Sequence, residues 1–184
     1  MQVTPTTLDA VRVIEPKKFG DHRGFFSEVY SRKAFAAAGI ELSFVQDNHS
    51  LSGPRGTVRG LHYQVAPLAQ DKLVRVVRGA ILDVAVDIRR SSPTFGRHVA
   101  VELSADNWKQ LLVPVGFAHG FVTLTDHTEV IYKVSADYSP PHERGIQWND
   151  PALGIDWRIA ADAAVLSDRD RKHPPLAQQA DLFD

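Results

Sequence analysis

The chain contains 184 residues, of which 43% are hydrophobic and 23% charged, and its formal net charge is −1. This length predicts one globular domain, because domains commonly contain about 100–200 residues. Cysteine is absent, which excludes disulfide bonds, zinc–thiolate sites and iron–sulfur clusters. The near-zero charge argues against nucleic acid or an anionic membrane as a partner, since proteins that bind either usually carry an excess of basic residues. Eight histidines against one methionine direct attention to histidine chemistry.

The N-terminal residues and the apolar stretches of the sequence indicate where in the cell the protein is expected to be. The first residues carry no basic region followed by an apolar run, and the best apolar stretch, Val113–Leu124, is interrupted by proline, glycine and histidine. A membrane-spanning helix needs about 20 apolar residues, so the sequence predicts no signal peptide, no membrane span and a cytoplasmic location. From about His173 onward, prolines and glutamines predict a loosely held tail of the single domain, residues 1–184.

In chain order, the first predicted element is a helix over Arg32–Ala38, with Ser31 as its N-cap and Gly39 as its stop signal. Short β-patterned runs follow, and these are Leu73–Val77, Ala80–Ile88, His98–Leu103, Trp108–Val113, Phe117–Leu124 and Glu129–Val134. The run Ala80–Ile88 alternates with a period of two, which predicts a strand with one buried face. Asp162–Leu166 predicts a short helical turn. The pattern favours an all-β fold, a jelly roll or antiparallel β-sandwich of roughly ten strands with a few short helices.

Four segments carry polar residues that the core of a sandwich does not need: Asp21–Glu28, Gln46–Ser50, Arg59–Gln64 with Lys72 beyond it, and Pro114–Gly120 followed by Tyr132, Tyr138 and Glu143. His62 and Gln64 lie two positions apart, so a strand projects both side chains from the same face. Lys72 begins an apolar strand, where its burial is costly unless an anionic group meets it. The alternative for Lys72 is a surface position with its aliphatic stem covering apolar residues.

The segment Pro114-x-Gly-x-x-His119 resembles the second histidine motif of the cupins, a superfamily of jelly-roll proteins. Cupins that bind metal usually carry His-x-His and a downstream glutamate in their first motif, whereas this chain has His62 and Gln64 at the two histidine positions. Two histidines without a carboxylate make a poor zinc or iron site, and Lys72 nearby repels a cation. The residues therefore predict no metal site.

Without a metal site, the candidate groups that could act on a substrate are a histidine, a lysine, tyrosines and arginines. A histidine removes a proton near neutral pH, a lysine stabilises a developing enolate oxygen, and a tyrosine returns a proton from the opposite face. Arginines bind phosphate or diphosphate through bidentate, permanently charged contacts. The set predicts proton transfer next to a ketone in a phosphorylated metabolite.

Five ordered motifs between Val11 and Asp170 are similar to those of the dTDP-4-dehydrorhamnose 3,5-epimerase family: Arg23–Glu28, Gln46–Ser50, Arg59–Gln64, Pro114–Phe121 and Leu166–Asp170. The resemblance implies a cupin-fold, homodimeric enzyme without a cofactor, which inverts C3 and C5 of dTDP-4-dehydro-6-deoxy-D-glucose to give dTDP-4-dehydro-L-rhamnose. Three alternatives remain open. They are an epimerase of C3 or C5 only on a related nucleotide sugar, a sugar-nucleotide-binding cupin without activity, and a metal-dependent cupin isomerase or oxygenase.

The same resemblance implies roles for individual residues. It assigns His62 as the base, Asp170 as its supporting carboxylate, Tyr132 as the acid and Lys72 as the group that stabilises the enolate at O4. It implies a second set around the nucleotide, diphosphate and sugar: Arg23, Glu28, Gln46, Asn48, Arg59, His119, Tyr138, Glu143 and Arg169.

Two further implications concern the C-terminal motif and the N-terminal strand. The family commonly has Ser-x-Lys-Asp near the C-terminus, whereas this chain has arginine at position 169, between Ser167 and Asp170. The resemblance also implies a homodimer in which the N-terminal strand, around Leu8–Ile14, joins the sheet of the partner. That stretch is predicted to be an apolar edge strand, and such an edge needs to be covered.

Overall fold

Thirteen β-strands and one short α-helix make up the computed structural model, which describes residues 1–184. The helix α1 spans Arg32–Ala37. The strands are β1 (Gln2–Pro5), β2 (Arg12–Glu15), β3 (Phe19–Asp21), β4 (Gly24–Phe26), β5 (Gln46–Ser52), β6 (Val58–Gln64), β7 (Lys72–Arg78), β8 (Ala80–Asp87), β9 (His98–Ser104), β10 (Gln110–Val113), β11 (Phe117–Thr123), β12 (Thr128–Val134) and β13 (Glu143–Gly145). Single 3₁₀ turns lie at Pro140–His142, Ala161–Ala163, Asp170–Lys172 and Leu176–Gln178. None of the helical segments has the length and apolar character needed to cross a membrane.

Two antiparallel sheets form the body of the fold. The six-stranded sheet has the order β1-β2-β10-β7-β12-β5, the five-stranded sheet has the order β13-β6-β11-β8-β9, and β3 pairs with β4 in a separate hairpin. Apolar side chains from both sheets, such as Val74 and Leu111 on one and Ile81 and Phe117 on the other, pack in one cluster between them. The predicted all-β sandwich of cupin type is therefore confirmed.

Strand β8 is buried on both faces, so the prediction of a single buried face is wrong. Ile81 and Ala85 pack between the two sheets, whereas Leu82 and Val84 pack on the outer face of the five-stranded sheet. The chain beyond β13 covers that outer face with apolar side chains that include Trp157. Alternation alone does not reveal this cover, because the covering segment is far away in sequence.

The C-terminal tail is packed rather than loosely held, which corrects the prediction for the residues from His173 onward. Leu176 is buried within the outer apolar cluster, and the hydroxyl of Tyr63 donates to the backbone carbonyl of Asp181 at 2.9 Å. These contacts join the tail to β6, the strand that carries several predicted site residues.

The boundaries of the predicted helix and of the six β-patterned runs agree with the structure to within two residues, whereas the turn predicted over Asp162–Leu166 lies at Ala161–Ala163. Ser31 caps α1 by accepting a hydrogen bond from the backbone N–H of Ala34 at 3.4 Å, and Gly39 follows the helix with a left-handed φ of 76°. Strand β10 begins later than predicted because Trp108 has a φ of 62°, which strand backbone does not adopt.

The apolar N-terminal stretch around Leu8–Ile14 is not an edge strand. Within it, β2 pairs with β1 on one side and with β10 on the other, and Leu8, Val11 and Ile14 are buried. The two edges of the six-stranded sheet are β1, whose residues are mostly exposed, and β5.

Candidate active site

Two adjoining cavities, with volumes of about 280 and 320 Å³, share His62, Lys72, Tyr132 and Glu143 in their walls. We refer to them together as the site cavity. Strands β7 and β12 of the six-stranded sheet contribute Lys72 and Tyr132, whereas β6 and β13 of the five-stranded sheet contribute His62 and Glu143. The cavity therefore has two opposed walls, one from each sheet.

The predicted site residues are brought together with two exceptions, Arg23 and Glu28. Those that line the site cavity are Gln46, Asn48, Arg59, His62, Lys72, His119, Tyr132, Tyr138, Glu143, Arg169 and Asp170. Arg23 lies on the exposed β3–β4 hairpin and pairs with Asp21 at 2.6 Å, and Glu28 lines a different cavity beside α1. A single chain does not place Arg23 or Glu28 at the site cavity.

A close approach of β6 and β11 positions two histidines next to each other. His62 and His119 are opposite residues in this ladder. A Cβ atom on Gly60 would lie 2.5 Å from the Cα of Gly120, and Gly60 has a φ of 119°. Side chains at either glycine would force the strands apart, so the two glycines allow His62 and His119 to share one wall of the cavity.

His62 and Asp170 form a hydrogen-bonded pair, with Nε2 of the ring 2.6 Å from Oδ1 of the carboxylate. Asp170 is 5% exposed. Burial acts to raise its pKa, but the close imidazoles of His173 and His62 outweigh this effect and hold the pKa far below its usual range. Because the carboxylate only accepts, Nε2 carries the proton and Nδ1 is left as the basic nitrogen.

Lys72 is buried, with 9% of the residue exposed, so it does not take the surface position considered as the alternative. Burial lowers the pKa of Lys72 to about 8, although the negative charges of Glu143 and Asp83 oppose the shift. At neutral pH the side chain is therefore a cation in a poorly hydrated site, where its field acts strongly on a bound oxygen.

Tyr132 projects from the same face of the six-stranded sheet as Lys72. Val134 is opposite Lys72 in the β12–β7 ladder, and residues two apart in a strand share a face. Burial raises the pKa of Tyr132, which keeps its hydroxyl protonated. The hydroxyl is therefore available as a proton donor on the wall that faces His62.

Polar residues at the rim of the cavity form a second network. Glu143 accepts hydrogen bonds from the hydroxyl of Tyr138 and from Nη2 of Arg169, both at 2.6 Å. Burial acts to raise the pKa of Glu143, but these two contacts outweigh it and lower the pKa. On β5, Nε2 of Gln46 donates to Oδ1 of Asn48 at 2.8 Å. Arginine at position 169 thus keeps a cation beside Glu143, where the resemblance predicts a lysine.

Asp83 is the principal site-related residue that sequence reasoning missed. It is fully buried, and its Oδ1 lies 2.7 Å from Nε2 of His119. A charged residue between the apolar residues of a strand was the available signal. Other residues missed by the prediction line the cavity or contact Asp170, and these are Ser50, Tyr63, Gln70, Phe121, Ser167 and His173.

Several of the residues that could hold a metal are engaged in hydrogen bonds with the protein. The Nε2 of Gln64, at the cupin metal-ligand position, donates to the carbonyl of Leu68 at 2.6 Å. Donor atoms of His62, Asp170 and His173 lie within 4.8 Å of one another. Nε2 of His62 is hydrogen bonded to Oδ1 of Asp170 at 2.6 Å, whereas Nε2 of His173 lies 3.4 Å from the same oxygen and has no hydrogen-bond partner.

Comparison with known proteins relates this chain to one family over most of its length. Residues 5–178 match the family model described as dTDP-4-dehydrorhamnose 3,5-epimerase. A protein of that name from Sinorhizobium fredii (strain NBRC 101917 / NGR234) is 54% identical over 172 residues, which cover 94% of this chain and 88% of the relative.

Two solved structures are similar in both fold and sequence. The dTDP-4-dehydrorhamnose 3,5-epimerase from Bacillus anthracis, with TDP and PPi bound, has a TM-score of 0.91 at 50% identity and covers 95% of this chain and 98% of its own. The dTDP-6-deoxy-D-glucose-3,5-epimerase from Legionella pneumophila, in complex with dTDP-4-keto-L-rhamnose, has a TM-score of 0.91 at 44% identity and covers 96% of this chain and 93% of its own.

Proposed function

The chain belongs to the dTDP-4-dehydrorhamnose 3,5-epimerase family, and on this premise we propose how its site inverts C3 and C5 of dTDP-4-dehydro-6-deoxy-D-glucose. The observation that carries the mechanism is the position of His62 and Tyr132 on opposed walls of one cavity. Inversion at a carbon requires a proton to leave from one face and another to arrive on the opposite face. A base and an acid from different sheets meet that requirement.

The first step is removal of the proton from C3 or C5 by Nδ1 of His62. The C–H bonding electrons move towards the C4 ketone and form an enolate, with its negative charge on O4. The Lys72 ammonium stabilises this charge, while the Asp170 carboxylate stabilises the imidazolium that forms. General bases of this kind typically contribute about 10²–10⁴-fold to the rate.

The second step is protonation of the same carbon from the other face. The hydroxyl of Tyr132 gives its proton to the carbon, the ketone re-forms and the configuration is inverted. The tyrosinate then regains a proton from solvent, and His62 releases its own. Protons are exchanged without net oxidation or reduction, so the mechanism proposed for this chain uses neither a metal nor a redox cofactor.

Binding of the diphosphate is proposed for Arg59 and Arg169. Both are permanent cations on the walls of the site cavity, and bidentate contacts to phosphate suit arginine. Tyr138 and Gln46 line the other part of the cavity, where they are positioned to contact the sugar or the base.

We propose that the enzyme is a homodimer and that the partner supplies Arg23 and Glu28 to the site cavity. The exposed edge strand β1 offers unpaired backbone groups for an exchanged strand. The β3–β4 hairpin exposes Phe19, Phe25 and Phe26 by 53%, 57% and 69%, and an apolar patch of this kind favours association. The cytoplasmic location remains a prediction from the sequence.

The proposed function is tested by incubating the purified protein with dTDP-4-dehydro-6-deoxy-D-glucose and following the sugar by NMR. The expected product has inverted configuration at both C3 and C5. A product inverted at one carbon would identify a mono-epimerase. A sugar that binds and stays unchanged would identify a binding protein without activity, and either result contradicts the proposal.

A further inference from the structure

A buried amide in the wall of the site cavity, that of Gln64, bridges two loops. Gln64 is 3% exposed and lines the cavity from β6, two positions after His62. Its Nε2 donates to the carbonyl of Leu68 at 2.6 Å and to the carbonyl of Asp137 at 3.1 Å. Its Oε1 accepts a hydrogen bond from the backbone N–H of Ser139 at 2.8 Å. Both N–H groups and the carbonyl oxygen of this side chain are therefore in use.

Two of these hydrogen bonds enclose a single residue, Tyr138. Asp137 before it offers a carbonyl and Ser139 after it offers an N–H, and the same amide of Gln64 binds both. The N–H of Tyr138 itself donates to Oε1 of Gln46 at 3.0 Å. One glutamine from each sheet thus fixes the backbone around Tyr138. An amide suits this position because it donates and accepts at once, which neither a carboxylate nor an ammonium group does.

The side chain of Tyr138 depends on this support because half of it is in solvent. The residue is 50% exposed, and the hydrogen bond that its side chain makes is the one from its hydroxyl to Glu143 at 2.6 Å. Glu143 is directly opposite Gln64 in the β6–β13 ladder. The backbone and the hydroxyl of Tyr138 are therefore both held by residues of the cavity wall, while one part of its ring stays open to a ligand.

Building on the proposed function, we propose that Gln64 is a positioning residue: its amide fixes the backbone on both sides of Tyr138 and so holds that ring ready to contact the sugar or the base of the substrate. A binding residue that is ordered beforehand loses less conformational freedom when the ligand arrives, so the affinity is higher. The position that carries a histidine ligand in metal-binding cupins therefore serves substrate binding in this chain.

The test separates binding from chemistry in the full-length protein. Gln64→Met keeps the approximate size of the side chain but loses its hydrogen bonds. We expect KM to rise by about tenfold while kcat stays within about twofold of wild type, because the lost contact serves binding rather than the reacting carbons. The matched control is Gln147→Met. The Gln147 amide donates to Oδ1 of Asn149 at 2.9 Å, away from the site cavity, and this variant is expected to leave both constants unchanged.

A double variant tests whether Gln64 acts through Tyr138. Tyr138→Ala is expected to raise KM by itself, and adding Gln64→Met to it is expected to raise KM by less than about twofold further, since the residue being positioned is already gone. Effects on KM that multiply in the double variant would overturn the inference. A fall in kcat with unchanged KM in Gln64→Met would overturn it as well.

Hydrogen exchange of the Ser139 amide provides a measurement that needs neither activity nor a variant. In the wild-type protein this N–H donates to Gln64, so we expect it to be protected from exchange with solvent. Exchange as fast as in an unstructured peptide would overturn the inference even if Gln64→Met did not fold. An inactive wild-type protein would refute the proposed function, while this exchange rate would still decide whether Gln64 holds the backbone at Tyr138.

Discussion

At the scale of single residues, the burial of Lys72 makes the reaction sensitive to alkaline pH. Because burial lowers the pKa of Lys72 to about 8, the ammonium that stabilises the enolate is present below that pH and is lost above it. The pKa of Tyr132 is raised by burial, so its titration lies at higher pH. We expect kcat/KM to fall as pH rises through about 8. A profile measured by stopped assays that stays flat through this range would contradict the assigned role of Lys72.

Tyr132 and His62 are distinguished by which half of the reaction they serve. In Tyr132→Phe the base and the enolate-stabilising lysine remain, so the substrate proton still exchanges with solvent while inversion slows by about 10²–10⁴-fold. Product formation and proton exchange are measured in the same NMR sample. Equal loss of exchange and inversion would show that Tyr132 does not act as the acid.

The chemical roles of individual residues could be predicted from the sequence where those residues belong to a recognisable motif. The pairing of His62 with Asp170 spans 108 residues, and the family resemblance predicted it, whereas spacing alone does not. Asp83 was missed because it lies within the alternating pattern of β8, which favours a purely structural interpretation. His173 was missed because the prolines and glutamines that follow it suggested a loose tail. Only the fold brings its side chain close to Gly145.

At the scale of the elements, the alternation of side chains predicted most strands of the two sheets but not which faces are covered. The outer face of β8 is buried by the chain beyond β13, a long-range contact that no local pattern contains. The same limit applies to Arg23 and Glu28, since their motif is recognisable but a single chain places them away from the site cavity.

The contact between β6 and β11 provides a prediction for one glycine. A Cβ atom on Gly120 would lie 2.8 Å from the backbone carbonyl of Arg59. We therefore expect Gly120→Ala to lower the free energy of unfolding by about 1–3 kcal/mol and to reduce activity, because it separates the strands that carry His62 and His119. Urea denaturation followed by circular dichroism measures the stability.

Gly53→Ala is the matched control for that substitution, since a Cβ atom at position 53 meets nothing within 4 Å. We expect its free energy of unfolding to stay within about 0.5 kcal/mol of wild type. A Gly120→Ala protein as stable as this control would show that the close approach does not constrain the two strands.

At the scale of the whole molecule, the proposed dimer makes each site depend on two chains. Arg23→Ala and His62→Ala are each expected to be inactive or severely impaired alone. If the partner supplies Arg23, a mixed dimer contains one site with both defects and one site with neither. After subunit exchange we expect an equal mixture to regain about one quarter of wild-type activity.

Light scattering after size exclusion provides the independent check on this assembly, with an expected mass of twice the 20.4 kDa chain. A monomer of full activity would refute the proposed dimer and the role of Arg23 in the partner's site. If the protein is a dimer but the mixed variants regain no activity, the proposed dimer stands and the proposal that the partner supplies Arg23 to the site is excluded.

The measurement that tests the central claim most directly is incorporation of solvent deuterium into dTDP-4-dehydro-6-deoxy-D-glucose. The wild-type protein in D₂O is expected to introduce deuterium at both C3 and C5, and His62→Ala is expected to lose exchange at both carbons together, since one base serves both. Exchange at neither carbon in the wild type, or a His62→Ala protein that exchanges within a factor of about two of wild type, would contradict the account.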